Sequence, residues 1–316
     1  MIHESGRPPY DPELREAFEA MEGLLPANAT LDVIPQLRQG SLDLDAEKLS
    51  AVGIEWRDVM IPGFRGDPIT VSVYRWPGRT GTGPGVISFH GGGWVTWNRH
   101  GGPGMFADLM KDCNGVVVSV EYRLAPEHPD PYPVEDCYAA LIWTASHLSE
   151  LGIDPERVML AGSSSGGGLV AGVALLARDR NGPAVCAQLM NSAVLDDRDD
   201  TVSKRQYEDT GFWTINRIAW TALLGNRRGG DDVSIYAAPA RATDLSGLPP
   251  AFIDCGSADL YRDEDVAYAS AIWAAGGQAE LHVWAGGFHG FNSAHAKLSI
   301  EANATQLAWI RRVLKV

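Results

Sequence analysis

The chain has 316 residues, 45% of them hydrophobic and 21% charged, a composition that can build a large buried core and excludes a disordered polymer. Lys and Arg number 26 against 40 Asp and Glu, a formal charge of −14, and no basic run could track a phosphate backbone, so nucleic acid is excluded as a partner. The uninterrupted apolar stretches are all far shorter than a membrane span, and Met1 to Ser5 carry no leader pattern, so a soluble, cytoplasmic protein without an integral membrane segment is expected.

In chain order, Asp11 to Leu25 has helical patterning ahead of the first strand. Ile54 to Ile61 and Pro68 to Tyr74 form a hairpin around a turn at Gly63, Gly66 and Asp67. After a Gly/Pro/Thr loop from Trp76 to Gly85 come short, nearly continuous apolar runs: Val86 to Phe89, Val116 to Val120, Val158 to Ala161, Ala187 to Met190 with Ala193 to Leu195, Ala251 to Ile253, and Leu281 to Trp284. Such runs suit parallel strands buried on both faces. Helix-length amphipathic segments separate them, the clearest being Val134 to Leu151. This alternation predicts a doubly wound α/β sheet. The N-terminal helical segment and an insertion from Asp196 to Gly225, holding Phe212, Trp213 and Trp220, break the alternation, and both are expected to cap the carboxyl edge of the sheet. The organisation expected is therefore N-terminal cap helices over 1–50, core over 51–195, cap insertion over 196–225 and core again over 226–316. Cys113, Cys137, Cys186 and Cys255 show no metal-ligand spacing and are expected to be buried free thiols, with no metal bound.

The sharpest local signal is Gly162-Ser163-Ser164-Ser165-Gly166, which follows the run Val158 to Ala161 and precedes a helical stretch from Leu169 to Arg180. A serine on such a strand-to-helix turn sits in strained backbone, with glycine needed two positions to either side, and only Ser164 has both. The stretch lacks the Gly-Lys-Ser/Thr ending of a phosphate loop and the G-x-G-x-x-G of a dinucleotide fingerprint. Upstream, His90-Gly91-Gly92-Gly93-Trp94 ends the strand Val86 to Phe89, and its glycines can turn main-chain N–H groups toward an oxyanion. A serine nucleophile needs a histidine base oriented by a carboxylate, in the order Ser, Asp/Glu, His. Asp259 lies just past the strand Ala251 to Ile253, whereas Asp254 lies within it. Asp263 and Glu264 open the next helix, where the dipole favours acids without catalysis. His289, on a glycine-flanked loop after the last strand, is the expected base; His282 falls inside that strand, and His147 and His295 belong to helices.

Together, His90-Gly91-Gly92-Gly93-Trp94, Tyr122-Arg123-Leu124-Ala125-Pro126-Glu127-His128-Pro129, the serine turn, Asp259-Leu260-Tyr261-Arg262-Asp263-Glu264 and His289-Gly290-Phe291 resemble the hormone-sensitive-lipase family of α/β-hydrolases, the microbial family IV esterases, from about Ile54 to Val316. The resemblance implies an eight-stranded, mostly parallel sheet with helices on both faces, a Ser164-Asp259-His289 triad, an oxyanion hole from the N–H groups of Gly91, Gly92 and Ser165, and no cofactor. It implies a scaffolding role for Arg123 to Pro133, with cis peptides at Ala125-Pro126 and Tyr132-Pro133, and for Leu195-Asp196-Asp197-Arg198. It is also compatible with a homodimer joined through the last strand. The usual elbow of that family is Gly-Asp-Ser-Ala-Gly-Gly, and this chain departs from it at Ser163 and Ser165.

The expected reaction is hydrolysis of a small ester with short to medium acyl chains or aryl groups. Trp94, Trp97, Phe212, Trp213 and Trp220 are candidates to line its pockets, each equally suited to holding the cap on the sheet. An amidase, lactonase or acyltransferase with the same triad, a non-catalytic ligand-binding relative, and a structural or interaction protein on the same fold are the alternatives.

Overall fold

The computed structural model describes residues 6–22, 29–40 and 49–316. Eight strands form one sheet: β1 (Glu55–Pro62), β2 (Pro68–Arg75), β3 (Gly83–Phe89), β4 (Val116–Glu121), β5 (Ile153–Ser163), β6 (Ala187–Asn191), β7 (Ala251–Gly256) and β8 (Ala279–Trp284). Their spatial order is β1-β2-β4-β3-β5-β6-β7-β8. β2 runs antiparallel to both of its neighbours, and all other pairings are parallel. Ala193 to Leu195, expected to extend a strand, lies outside the ladder. β6 ends at Asn191: the Ser192 N–H makes a last rung to the Asp254 carbonyl at 2.6 Å, and the residue's positive φ of 43° then turns the chain out of the sheet.

Alternate side chains of the central strands enter separate cores, as the two-residue period of a strand requires. Ile87, Phe89, Val118, Val120, Leu160, Met190 and Ile253 face one; Val86, Val117, Met159, Ala161, Leu189 and Phe252 face the other. In chain order the helices used below are α1 (Arg15–Glu22), α2 (Ile34–Gly40), α3 (Ala107–Cys113), α4 (Tyr132–Ser146), α5 (Leu148–Leu151), α6 (Ser165–Asp179), α7 (Val202–Gln206), α8 (Gly211–Leu224), α9 (Arg262–Ala274) and α10 (Lys297–Leu314). α4, α6 and α9 cover the first core, and α3 and α10 the second. The stretch expected as one helix from Val134 to Leu151 is two, because His147 leaves helical geometry at φ −120° and ψ 14°.

α1 packs against α8 and against the loop beyond β8. Phe18 of α1 packs on Phe212 of α8 and on Phe288 beyond β8, with centroids 6.1 and 5.6 Å apart. Glu22 accepts the Gly211 N–H at 2.6 Å, joining α1 to the start of α8. Of the helix expected over Asp11 to Leu25, Pro12–Leu14 is a 3-10 turn, α1 is α-helical, and positions 23–25 lie outside the described residues. Cis peptides occur at Ala125-Pro126 and Asp130-Pro131, so the expectation for Tyr132-Pro133 is corrected: Pro133 lies inside the regular geometry of α4. The cysteines are all free, but only Cys137 and Cys255 are buried; Cys113 and Cys186 lie at the rim of the second core, partly exposed. Among the described residues no helix is long and apolar enough to cross a membrane.

Candidate active site

Ser164 stands between β5 and α6 with φ +57° and ψ −126°, a conformation costing about 1–3 kcal/mol in a residue with a side chain. The surroundings hold it there. Its N–H donates to Asn191 O at 2.8 Å, and its carbonyl accepts from Val194 N–H at 3.1 Å and Gly168 N–H at 3.2 Å. The flanking glycines are sterically required. A Cβ at Gly162 would lie 2.4 Å from the Gly166 carbonyl, and one at Gly166 would lie 2.1 Å from the Phe89 carbonyl. The side chain of Ser164 therefore projects above the sheet, partly exposed.

The loops after β7 and β8 clasp each other. Ser257 N–H donates to Trp284 O at 2.8 Å and Ala258 N–H to Gly287 O at 3.0 Å, while a Cβ at Gly256 would strike the Gly287 carbonyl at 1.8 Å. This contact brings Asp259 under His289. Asp259 is fully buried; one of its oxygens accepts the Tyr261 N–H at 2.9 Å, and the other lies 3.1 Å from His289 Nδ1. Because a carboxylate only accepts, Nδ1 carries the proton, leaving Nε2 to accept from the Ser164 hydroxyl 2.9 Å away. Tyr261 and Phe212 meet the imidazole edge-on, with centroids 4.8 and 5.6 Å away. They restrict the ring without competing for its nitrogens.

The glycine loop leaves the end of β3 beside this line. The His90 carbonyl accepts the Tyr122 hydroxyl at 2.8 Å. The Gly91 carbonyl lies 2.8 Å from His90 Nδ1 and 3.3 Å from the same hydroxyl. In a trans peptide the N–H points opposite to the C=O, so the N–H groups of Gly91 and Gly92 are turned away from Tyr122. Gly91 abuts Ser164: a Cβ there would lie 3.4 Å from that of the serine. Gly92 has φ +94°, and a Cβ would meet the Thr96 carbonyl at 2.4 Å, so only glycine fits. Ser165 is the first residue of α6, whose N–H has no partner within the helix. His90 itself is buried and stacks on Tyr122. Burial pushes its pKa down to about 4, which keeps it neutral.

The aromatic residues separate into two groups. Trp97, half exposed, sets its ring beside Gly91, Phe212 lies against His289, and Trp213 is partly exposed on α8. Trp94 and Trp220 are almost wholly buried and pack on each other with centroids 4.6 Å apart. They join α8 to the glycine loop, and Trp94 also borders a small cavity with Leu169 and Leu223.

Several supporting residues escape sequence reasoning because their partners are remote in the chain. Arg38 of α2 donates to Val95 O at 2.7 Å and holds Glu127 with two hydrogen bonds, fastening the stretch beyond the glycine loop to the scaffold segment. Lys204 of α7, fully buried, pairs with Glu264 of α9 at 2.9 Å. Glu264 is thus no solvated helix-opening acid: it is buried and also accepts the Leu195 N–H at 2.7 Å. In the turn after Leu195, Asp197 takes both Arg241 nitrogens and the Gly229 N–H.

Residues 86–293 match the model of a family described as having the alpha/beta hydrolase fold. The chain is 34% identical over 317 residues to the carboxylesterase NlhH of Mycobacterium tuberculosis, covering 98% of this chain and 97% of that protein. It is 31% identical to an arylesterase of Saccharolobus solfataricus, over 85% of this chain and 87% of the relative. Among solved structures, a bacterial heroin esterase superposes with a TM-score of 0.86 at 38% identity, covering 96% of this chain and 98% of that one. The sheet order, the serine elbow and these relatives together establish that the chain belongs to the α/β-hydrolase family, in its hormone-sensitive-lipase-like branch.

Proposed function

We propose that this protein, a carboxylic ester hydrolase, acts on short to medium acyl or aryl esters through Ser164, His289 and Asp259. The observation that carries the reading is the unbroken hydrogen-bonded line from Ser164 Oγ through both imidazole nitrogens to the buried Asp259 carboxylate. Ser164 attacks the ester carbonyl while His289 Nε2 takes its proton, and Asp259 fixes the tautomer and stabilises the imidazolium. The tetrahedral oxyanion is met by the N–H groups of Gly91, Gly92 and Ser165, with the positive end of the α6 dipole behind them. His289 returns the proton to the departing alcohol, leaving the acyl group on Ser164. Water, deprotonated by the same histidine, then releases the acid.

Trp97, Phe212 and Trp213 support a binding space with aromatic walls, suited to compact acyl or aryl groups. Under the same reading, 51–195 and 226–316 are the catalytic core, with 1–50 and 196–225 as cap. β8 is an outer strand carrying the exposed Val283; this supports a homodimer, which analytical ultracentrifugation tests directly. For the reaction, matched p-nitrophenyl esters, anilides, lactones and alcohol acceptors are assayed with wild type and Ser164→Ala. The proposal expects ester hydrolysis to dominate and to vanish in the variant. Faster turnover of an anilide or lactone would reassign the bond, and ester turnover that survives Ser164→Ala would remove the nucleophile.

A further inference from the structure

Ser165 carries two polar groups, and the mechanism above uses only its backbone N–H. Its side chain is fully buried, and Oγ accepts a hydrogen bond from the Trp94 N–H at 3.3 Å. The phenol of Tyr122 is also buried, and burial pushes its pKa well above its ordinary value, so it stays protonated. Tyr122 in turn donates to the His90 carbonyl at 2.8 Å. The hydroxyl on the first turn of α6 therefore holds the far end of the glycine loop at Trp94, while the Tyr122 phenol holds its near end at His90.

The loop between those ends needs such fastening. Gly92 and Gly93 have φ values of +94° and +63°, and glycine peptides rotate more freely than any others. An oxyanion hole works because its donors are aimed before the charge develops, and a loop that must first reorganise loses that advantage. A smaller side chain at 165 would leave the buried Trp94 N–H without its acceptor. Position 165 is also one of the two at which this elbow departs from the usual sequence of its family.

We propose that the Ser165 hydroxyl is a positioning group that, through the Trp94 N–H, holds the glycine-loop peptides in register with the first turn of α6. The inference rests on the reading of Gly91, Gly92 and Ser165 N–H as the oxyanion donors. Ser165→Ala keeps the backbone N–H and removes only the hydroxyl, so it separates the two roles.

The test measures p-nitrophenyl butyrate hydrolysis and inhibition by a trifluoromethyl ketone, whose adduct with serine carries an oxyanion. Wild type, Ser165→Ala, Tyr122→Phe and the double variant are compared. Ser165→Ala is expected to lower kcat about 10-fold with KM changed by less than about twofold, and to weaken the ketone by a similar factor. Tyr122→Phe releases the other end of the same loop at the His90 carbonyl and is expected to do likewise, and the double variant to lose little more than the worse single, because either loss already frees the loop. A kcat within about twofold of wild type in Ser165→Ala overturns the proposal, as do single losses that multiply in the double variant. If Tyr122→Phe fails to fold by circular dichroism, the kcat and KM of Ser165→Ala decide alone. Failure of the underlying reading looks different: folded wild type would not be labelled at Ser164 by a fluorophosphonate at all.

Discussion

At the scale of the residue, the strained backbone of Ser164 is held by contacts that can be removed one at a time. Ser164→Ala leaves the elbow's hydrogen bonds in place, so a folded protein with kcat lowered about 10⁴–10⁶-fold is expected, read by steady-state kinetics beside a melting curve. Gly166→Ala tests the geometry instead of the chemistry. Its Cβ would lie 2.1 Å from the Phe89 carbonyl, and the forced shift of β3 against α6 should destabilise by about 1–3 kcal/mol or more, measured by urea unfolding. An unchanged midpoint would mean that the elbow is looser than it looks. These residues were legible because the chemistry dictates their type and order: a serine between two glycines, then an acid and a histidine at later strand ends. The role of the Ser165 hydroxyl was not, since a buried hydroxyl carries no periodic or motif signal and its partner, the Trp94 N–H, is remote in the chain.

At the scale of the element, the strands were readable wherever both faces are buried, as in Val116 to Val120 and Val158 to Ala161. Apolar content alone misled at Ala193 to Leu195. Those residues are buried as a strand would be, but Ser192 takes a positive φ of 43°, which turns the chain out of the ladder before them. The insertion after Leu195 shows the same limit. Its helices could be placed by pattern, yet the pair that fastens α7 to α9, Lys204 against Glu264, joins residues far apart in sequence. The ammonium is kept charged by Glu264 and Asp199 despite burial. Lys204→Met would leave Glu264 buried without its cation, and a loss of about 3–5 kcal/mol is expected from denaturant unfolding. Adding Glu264→Gln should recover much of it, because the charge left behind is removed; equal losses in the single and double variants would show that Lys204 contributes packing alone.

At the scale of the whole molecule, the excess of acids runs into the core. Burial raises the Asp254 carboxyl to about 7, where it accepts from Trp284 and Asn292, and raises Glu264 to about 7 as well. An acid whose pKa is higher folded than unfolded favours the folded state at low pH, and that contribution is lost as pH rises through the folded value. For Asp254 the window runs from about 4 to about 7. Asp254→Asn, which stays neutral throughout, should therefore gain melting temperature relative to wild type across that interval and hold a constant difference above it. A difference that does not change with pH would mean that Asp254 is already ionised in the folded protein. Such effects depend on tertiary burial, so the net charge of −14 could announce acidity but not where it is confined. The central claim, an activated serine at 164, is tested most directly by treating the purified protein with a fluorophosphonate, mapping the modified residue by peptide mass spectrometry and following p-nitrophenyl butyrate hydrolysis in parallel. The account predicts stoichiometric labelling of Ser164 with matching loss of hydrolysis. Labelling elsewhere, or hydrolysis that persists after Ser164 is modified, would contradict it.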